Sequence, residues 1–203
     1  VNYKGNLYAL RKVGVRKIVA TCSVGSLNPS FQPGDFVVPD QLIDFTKGRD
    51  YTFYHEEVVH IDATEPFCPS IRRVLVSTAE SLGLRIWGHG TYICFEGPRF
   101  ETRAEIRMAQ LLGADIVGMT LAPEAALARE LALCYAAIAI VTNWAAGFQE
   151  RVTEEEVKKM MDVKKEAIGT LFRKSLPIIE GLERDGCGEI EGRVEELLRR
   201  FEP

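Results

Sequence analysis

The sequence predicts an α/β domain, a three-layer sandwich in which a twisted mixed β-sheet is covered by helices on both faces. Three observations predict it. Apolar runs of strand length alternate with segments of helical period along most of the chain. Several of the runs are nearly continuous, as in strands buried on both faces. Gly and Pro punctuate the joins. Internal repeats, low-complexity tracts and Pro/Ser linkers are absent from the sequence, so residues 1–203 read as a single domain.

Leu7, Leu10 and Arg11 fall at helical spacing and end at Gly14. Arg16 to Cys22 is a strand that stops in the loop Ser23-Val24-Gly25-Ser26-Leu27-Asn28-Pro29, and two short strands, Asp35–Val38 and Leu42–Phe45, flank Pro39-Asp40. The polar stretch from Thr46 to Pro66 is a long loop, a length that usually marks function or an interface. Ser70 to Leu84 has helical period, and Arg85 to Phe95, broken by Gly88 and Gly90, is a strand or a bent strand pair. Glu101–Leu112 and Pro123–Leu133 are helices, with strands at Asp115–Met119 and Cys134–Thr142. Thr153 caps a long amphipathic helix with Glu156 as its capping-box partner; the helix runs to about Ile179 unless Pro177 kinks it. A last helix, Glu189–Phe201, aligns Ile190, Val194, Leu197, Leu198 and Phe201 on one face.

The composition, 46% hydrophobic and 27% charged with a net charge of -4, offers neither a basic stripe for nucleic acid nor a basic amphipathic segment for a membrane. Leu131–Val141 is too short to span a bilayer, and the expected location is cytoplasmic. The five cysteines, Cys22, Cys68, Cys94, Cys134 and Cys187, stand isolated without metal-ligand spacing and read as buried thiols. No metal site is expected.

In an α/β sheet, ligands gather where strands end, and four strand ends carry polar or Gly-rich residues. They are Thr21 to Leu27, Phe95-Glu96-Gly97-Pro98-Arg99-Phe100-Glu101-Thr102, Gly118-Met119-Thr120-Leu121-Ala122-Pro123-Glu124, and Val141-Thr142-Asn143-Trp144-Ala145-Ala146-Gly147. A Gly turn after one strand is usually just a turn; four in this order are more specific. The series Glu-Gly-Pro-Arg-Phe-Glu-Thr, Gly-Met-Thr-Leu-Ala-Pro-Glu and Val-Thr-Asn resembles the signature of trimeric purine nucleoside phosphorylases and 5′-methylthioadenosine (methylthioinosine) phosphorylases. Val1-Asn2-Tyr3 and the stretch from His60 to Pro69 resemble the methylthioadenosine branch.

The resemblance implies a nucleoside phosphorylase-like fold, a homotrimer or hexamer, and a pentosyltransferase of purine salvage. Its co-substrate is inorganic phosphate and it needs no cofactor. Asn143 offers an amide donor and acceptor suited to N7 and the 6-oxygen of hypoxanthine or guanine, or else it caps a turn. Adenine-specific relatives carry aspartate there and again two residues on, where this chain has Ala145. Glu101 accepts from the ring N–H of a 6-oxopurine, or else sits in the first turn of a helix. Phe100 stacks on the base or packs in the core, and Met119 lies under the ribose or packs likewise. Tyr3 or Asn6 approaches the sugar. Ser23 and Thr120 bind phosphate beside Cys22, which replaces the branch's threonine.

His60 either extends to a neighbouring subunit's site near the 5′ group or is a solvated loop residue. Glu154 stands where the ribonucleoside enzymes carry a 5′-hydroxyl-binding histidine. Glu96 and Arg99 read as a structural pair around the Gly-Pro turn, and Glu124 caps a helix start. The family's Gly-rich first loop and Arg-His phosphate pair lie upstream of Val-Asn-Tyr, outside these 203 residues: either roughly sixty further residues precede Val1, a number set by the resemblance and by ordinary domain size, or the protein is a binding-only relative. The expected function is phosphorolysis of a 6-oxopurine nucleoside: inosine, guanosine or 5′-methylthioinosine. The rivals are a 5′-methylthioadenosine phosphorylase and a non-catalytic purine-binding relative.

Overall fold

The computed structural model describes residues 1–200, so Phe201 of the expected last helix lies outside the described residues. Strands are β1 (Lys17–Ser26), β2 (Phe36–Val37), β3 (Gln41–Phe45), β4 (Ile86–Trp87), β5 (Thr91–Phe95), β6 (Ile116–Gly118) and β7 (Cys134–Trp144). Helices are α1 (Tyr3–Lys12), α2 (Pro69–Ser81), α3 (Arg103–Leu111), α4 (Leu121–Glu130), α5 (Glu154–Glu180) and α6 (Glu191–Arg200). The strands form one mixed sheet in the order β3-β5-β6-β1-β7-β2-β4. Among the described residues no helix is long and apolar enough to cross a membrane.

The layering follows from β7. From Cys134 to Asn143 it is buried throughout, and its side chains alternate between the two faces. Cys134, Ala136, Ile138 and Ile140 join Ile71 and Leu75 of α2 with Leu171 and Ile179 of α5. Tyr135, Ala137, Ala139 and Val141 join Leu7 of α1, Leu127 of α4 and Val194 and Leu197 of α6. A smaller cluster seats Ile106 and Ala109 of α3 on Ile93, Val117 and Ala145.

The sheet also curls. Trp87 and Thr91, like Val37 and Gln41, are four residues apart, a reach of at most about 14 Å. Each pair joins strands five places apart in the order, about 24 Å if the sheet were flat. The two ends of the sheet must therefore approach one another. Gly90 marks the approach: with φ at 154°, a Cβ there would sit 3.1 Å from Phe31 and 3.2 Å from Val37.

Three local expectations change. β1 does not stop at Cys22, because its backbone finds β7 along one edge and β6 at Gly25 and Ser26 on the other, and paired edges override the Ser and Gly turn signals. α3 starts at Arg103 rather than Glu101: Thr102 is its N-cap and closes a capping box with Glu105. Thr153 caps α5, but Glu156 closes no box, since its carboxylate accepts from Gln149 Nε2 at 2.7 Å. α5 runs through Pro177 to Glu180.

The loop from Thr46 to Phe67 contains no helix or strand and is held by side chains. Arg49 donates to Glu96 Oε1 at 2.8 Å, the Glu96 carbonyl at 2.7 Å, the Tyr3 hydroxyl at 2.7 Å and the Met119 carbonyl at 3.2 Å. Glu96 is thus the partner of Arg49, and Arg99 instead forms a bidentate pair with Glu105 at 2.7 and 2.8 Å. Glu96 Oε2 also accepts the amides of Lys47 at 2.6 Å and Gly48 at 3.1 Å. Those amides, then Arg49, hold its carboxyl down at about 2.

α6 docks through Glu191, which bonds to Arg11 and to Arg184 at 2.8 Å and lies 3.6 Å from Arg16. Arg11 is 2% exposed, and its other bond goes to the Leu131 carbonyl at 3.1 Å. Glu191→Ala leaves that guanidinium buried without a counter-charge and is expected to cost about 2–4 kcal/mol. Urea denaturation reads it; Lys158→Ala, which removes an exposed pair with Glu154, should leave the midpoint in place. A depressed carboxyl stabilises above its unfolded value near 4.5 and loses that contribution as pH falls through the folded value. The Lys47 and Gly48 amide resonances are therefore expected to titrate with a midpoint close to 2, and a midpoint near 4.5 refutes the clamp.

Candidate active site at the β1–β6 seam

β1 runs parallel to β7 but antiparallel to β6, so the sheet has a seam between β1 and β6. Carboxyl ends therefore do not all lie on one edge, as a parallel sheet would place them. β6 instead pairs antiparallel with the last two residues of β1, Gly25 and Ser26, and a cavity of about 470 Å³ opens where that pairing stops. β1 contributes Thr21 to Gly25, β6 and the turn after it Val117 to Thr120, β7 and its exit Thr142, Asn143, Ala145 and Ala146, and the start of α5 Glu154 and Val157. Phe100 and Glu101 come from the turn before α3.

Asn143 reaches the cavity through a break in register. Val24 pairs with Val141 but Gly25 pairs with Asn143, so Thr142 is an extra residue in β7. The bulge lets two consecutive residues line one cavity, which plain strand alternation forbids. Asn143 is 5% exposed; its Nδ2 donates to the Trp144 carbonyl at 2.8 Å, and its Oδ1 accepts from Thr142 Oγ1 at 2.8 Å. An amide has two N–H donors and two lone pairs on oxygen, so one of each remains. Gly25 makes room: a Cβ there would stand 3.3 Å from Asn143 Nδ2.

Glu101 is freed by the placement of α3. Glu105 serves the capping box and the Arg99 pair, and Glu101 precedes the N-cap, which removes the reading that it occupies the helix's first turn. Its Oε1 is buried without a hydrogen-bond partner. Burial, with the neighbouring Glu105 charge, pushes its carboxyl up from the ordinary value. A buried carboxylate oxygen without a donor is costly, and an N–H on a bound molecule would satisfy it. Asn143 and Glu101 share the cavity, but their strands are not neighbours: β6 and β1 lie between β5 and β7.

Thr120 is the N-cap of α4, yet its side chain makes no capping bond. The Tyr92 hydroxyl accepts the Thr120 amide at 3.1 Å and the Leu121 amide at 3.5 Å in its place. A Cβ at Gly118 would run into that hydroxyl, which is why glycine stands before Met119. Met119 in turn lies against Gly97, where a Cβ would meet its Sδ. Ser23 and Cys22 line the same wall; the Cys22 thiol is buried, and burial first, then the Glu124 charge, pushes its pKa up. Phe100 is 42% exposed at the rim.

Thus Asn143, Glu101, Phe100, Met119, Ala145, Ser23, Thr120 and Cys22 converge, and so does Glu154. His60 is exposed on the long loop, outside the cavity of its own chain. Tyr3 is buried and bonded to Arg49, and neither it nor Asn6 lines the cavity. Glu124 does not face the cavity as an open helix cap: it accepts from the Tyr135 hydroxyl at 2.5 Å, and burial pushes its carboxyl up. Thr21 and Thr142, which stand in the strand-end stretches but carry no assigned role, also line the cavity, as do Val152 and Met161. Polar residues closing an apolar strand were the available signal for Thr142 and Thr21; Val152 and Met161 had none.

The cysteines are not isolated in space. Cys68, Cys134 and Cys187, far apart in sequence, bring their sulfurs within 4.8 Å of one another, away from the cavity.

The family model of the phosphorylase superfamily matches residues 2–177. A 6-oxopurine nucleoside phosphorylase from Pyrococcus furiosus is 52% identical over 196 residues, 92% of this chain and 74% of that protein. An S-methyl-5′-thioadenosine phosphorylase from Pyrococcus abyssi is 46% identical, covering 94% of this chain and 74% of its own length. Among solved structures, a methylthioadenosine phosphorylase from Schistosoma mansoni in complex with adenine superposes with a TM-score of 0.86 at 33% identity, over 98% of this chain and 76% of that one. The chain therefore belongs to the phosphorylase superfamily, with the purine nucleoside and methylthioadenosine phosphorylases.

Proposed function

We propose that the protein cleaves 6-oxopurine nucleosides with inorganic phosphate, releasing the free base and a ribose 1-phosphate. The observation that carries this reading is the pairing, in one cavity, of a carboxylate oxygen lacking a donor with an amide that keeps one N–H and one lone pair free. Inosine and guanosine present a ring N–H to Glu101, whereas adenosine presents a lone pair at that nitrogen. Ala145 supplies no carboxylate for an exocyclic amine.

A phosphate oxygen attacks the anomeric carbon while the bond to the purine breaks and its electron pair passes to the ring. Asn143 Nδ2 donates to the purine as this charge grows, and a fixed donor in a dry site is worth more there than in water. Met119 packs beneath the sugar and Phe100 covers the base. Ser23 and the uncommitted Thr120 hydroxyl hold phosphate, and Cys22, neutral and buried, adds only packing. No cofactor is needed. A homotrimer or hexamer brings His60 of one chain toward the 5′ end of the next, a reading that the exposed Phe100 and Phe148 support. Release of a free purine base suits work in purine salvage, and the expected location stays cytoplasmic.

The rival 5′-methylthioadenosine reading draws on the apolar Val152, Val157 and Met161 around Glu154. Inosine, adenosine and their 5′-methylthio analogues, compared with and without phosphate, separate the two. Base release from inosine should require phosphate and exceed that from adenosine by at least about 100-fold, the scale set by a lost hydrogen bond at a built site. Asn143→Ala should lower kcat about 10²–10³-fold with the fold retained. Release without phosphate, or a preference for adenosine, overturns the assignment.

Because burial raises the Glu101 pKa, its charged form disappears at a higher pH than for an ordinary carboxyl. KM for inosine is expected to rise on the acid side in the native protein. In Glu101→Gln that limb should vanish, with KM high at every pH.

A further inference from the structure

We propose that Cys68, Cys134 and Cys187, with Asp185, form a binding site for a thiophilic divalent cation such as zinc. Their ligand sulfurs come from three places: the N-cap of α2, the first residue of β7, and the turn between α5 and α6. All three are free and buried, 3%, 0% and 3% exposed, and their sulfurs lie within 4.8 Å of one another. A tetrahedral zinc with bonds of about 2.3 Å holds its sulfurs about 3.8 Å apart, so small side-chain movements close the site.

The surroundings fit a metal thiolate better than three neutral thiols. Asp185 Oδ2 lies 3.7 Å from Cys68 Sγ, beside the three sulfurs, so that a movement of its side chain brings an oxygen ligand to the fourth position. The same oxygen accepts the Ser70 amide at 2.7 Å, which orients it. Asp185 is exposed, which gives the ion a way in. Arg129 donates from Nη1 to Cys187 Sγ at 3.2 Å and from Nε to the Asp62 carbonyl at 3.1 Å, fixing a positive charge at the sulfurs. Three thiolates, the Asp185 carboxylate and a dication leave two negative charges, of which Arg129 offsets one. On binding, each thiol loses its proton to solvent as its sulfur bonds the metal. A disulfide between any two of the cysteines would leave the third thiol and the guanidinium beside it unused.

The site pins the turn before α6 to the start of β7. From Cys134 to Asn143 the strand spans about 30 Å, so the ion takes no part in the cavity's chemistry.

The fully reduced chain is titrated with cobalt(II) and zinc under inert gas. Expected are thiolate-to-cobalt charge-transfer and tetrahedral ligand-field bands saturating at one equivalent, their displacement by zinc, and a melting temperature raised by zinc. Cys68→Ser and Cys187→Ser should each weaken cobalt binding at least about 10-fold, the loss produced even by removing an outer hydrogen-bond partner of a metal ligand. Cys94→Ser should leave it unchanged. A folded, reduced protein without the charge-transfer band overturns the proposal, as does purified protein whose mass and thiol count show one of the three in a disulfide.

Discussion

The parallel pairing of β1 with β7 is the constraint from which the layers and the cavity both follow. It runs from Lys17 opposite Cys134 to Ser26 opposite Trp144. Because β7 is buried on both faces, a slip of one residue would exchange the two sets of side chains and put Tyr135 where Ala136 now packs. The register therefore assigns α2 and α5 to one face and α1, α4 and α6 to the other. The single interruption, at Thr142, turns Asn143 into the cavity.

A second division of labour concerns charge. Around the turn after β5 stand three carboxylates, Glu96, Glu101 and Glu105. Glu96 is consumed by the Arg49 loop and Glu105 by the capping box and Arg99. Both are held at about 2 by those donors, while Glu101, left without them, is displaced upward by burial. Satisfying two neighbours completely is what makes the third available to a ligand.

What the sequence made legible was local. Apolar runs located the strands, Thr153 stood at a helix start, and polar residues closing the runs at Ser23, Thr120 and Asn143 named cavity residues. What stayed hidden depends on meetings between distant segments. Glu96 pairs with Arg49 rather than with nearby Arg99, and β1 continues past Cys22 because β6 arrives to pair with it. No periodicity reports that Cys68, Cys134 and Cys187 converge, since spacing rules describe ligands within one loop or helix, not three elements joined by the tertiary fold.

The curl of the sheet and the position of the cavity have one origin. Two three-residue connections tie strands that a flat sheet would hold far apart, so the sheet must close on itself and its inner face becomes concave. Concavity alone would fill with side chains, as it does around Phe31 and Tyr92. At the seam, β6 is only three residues long and ends at Gly118, where Tyr92 forbids any side chain. Short β6, glycine at its end and the bulge opposite it in β7 together remove wall material at one place. The polar groups exposed there are those that helix capping and loop anchoring have left unused.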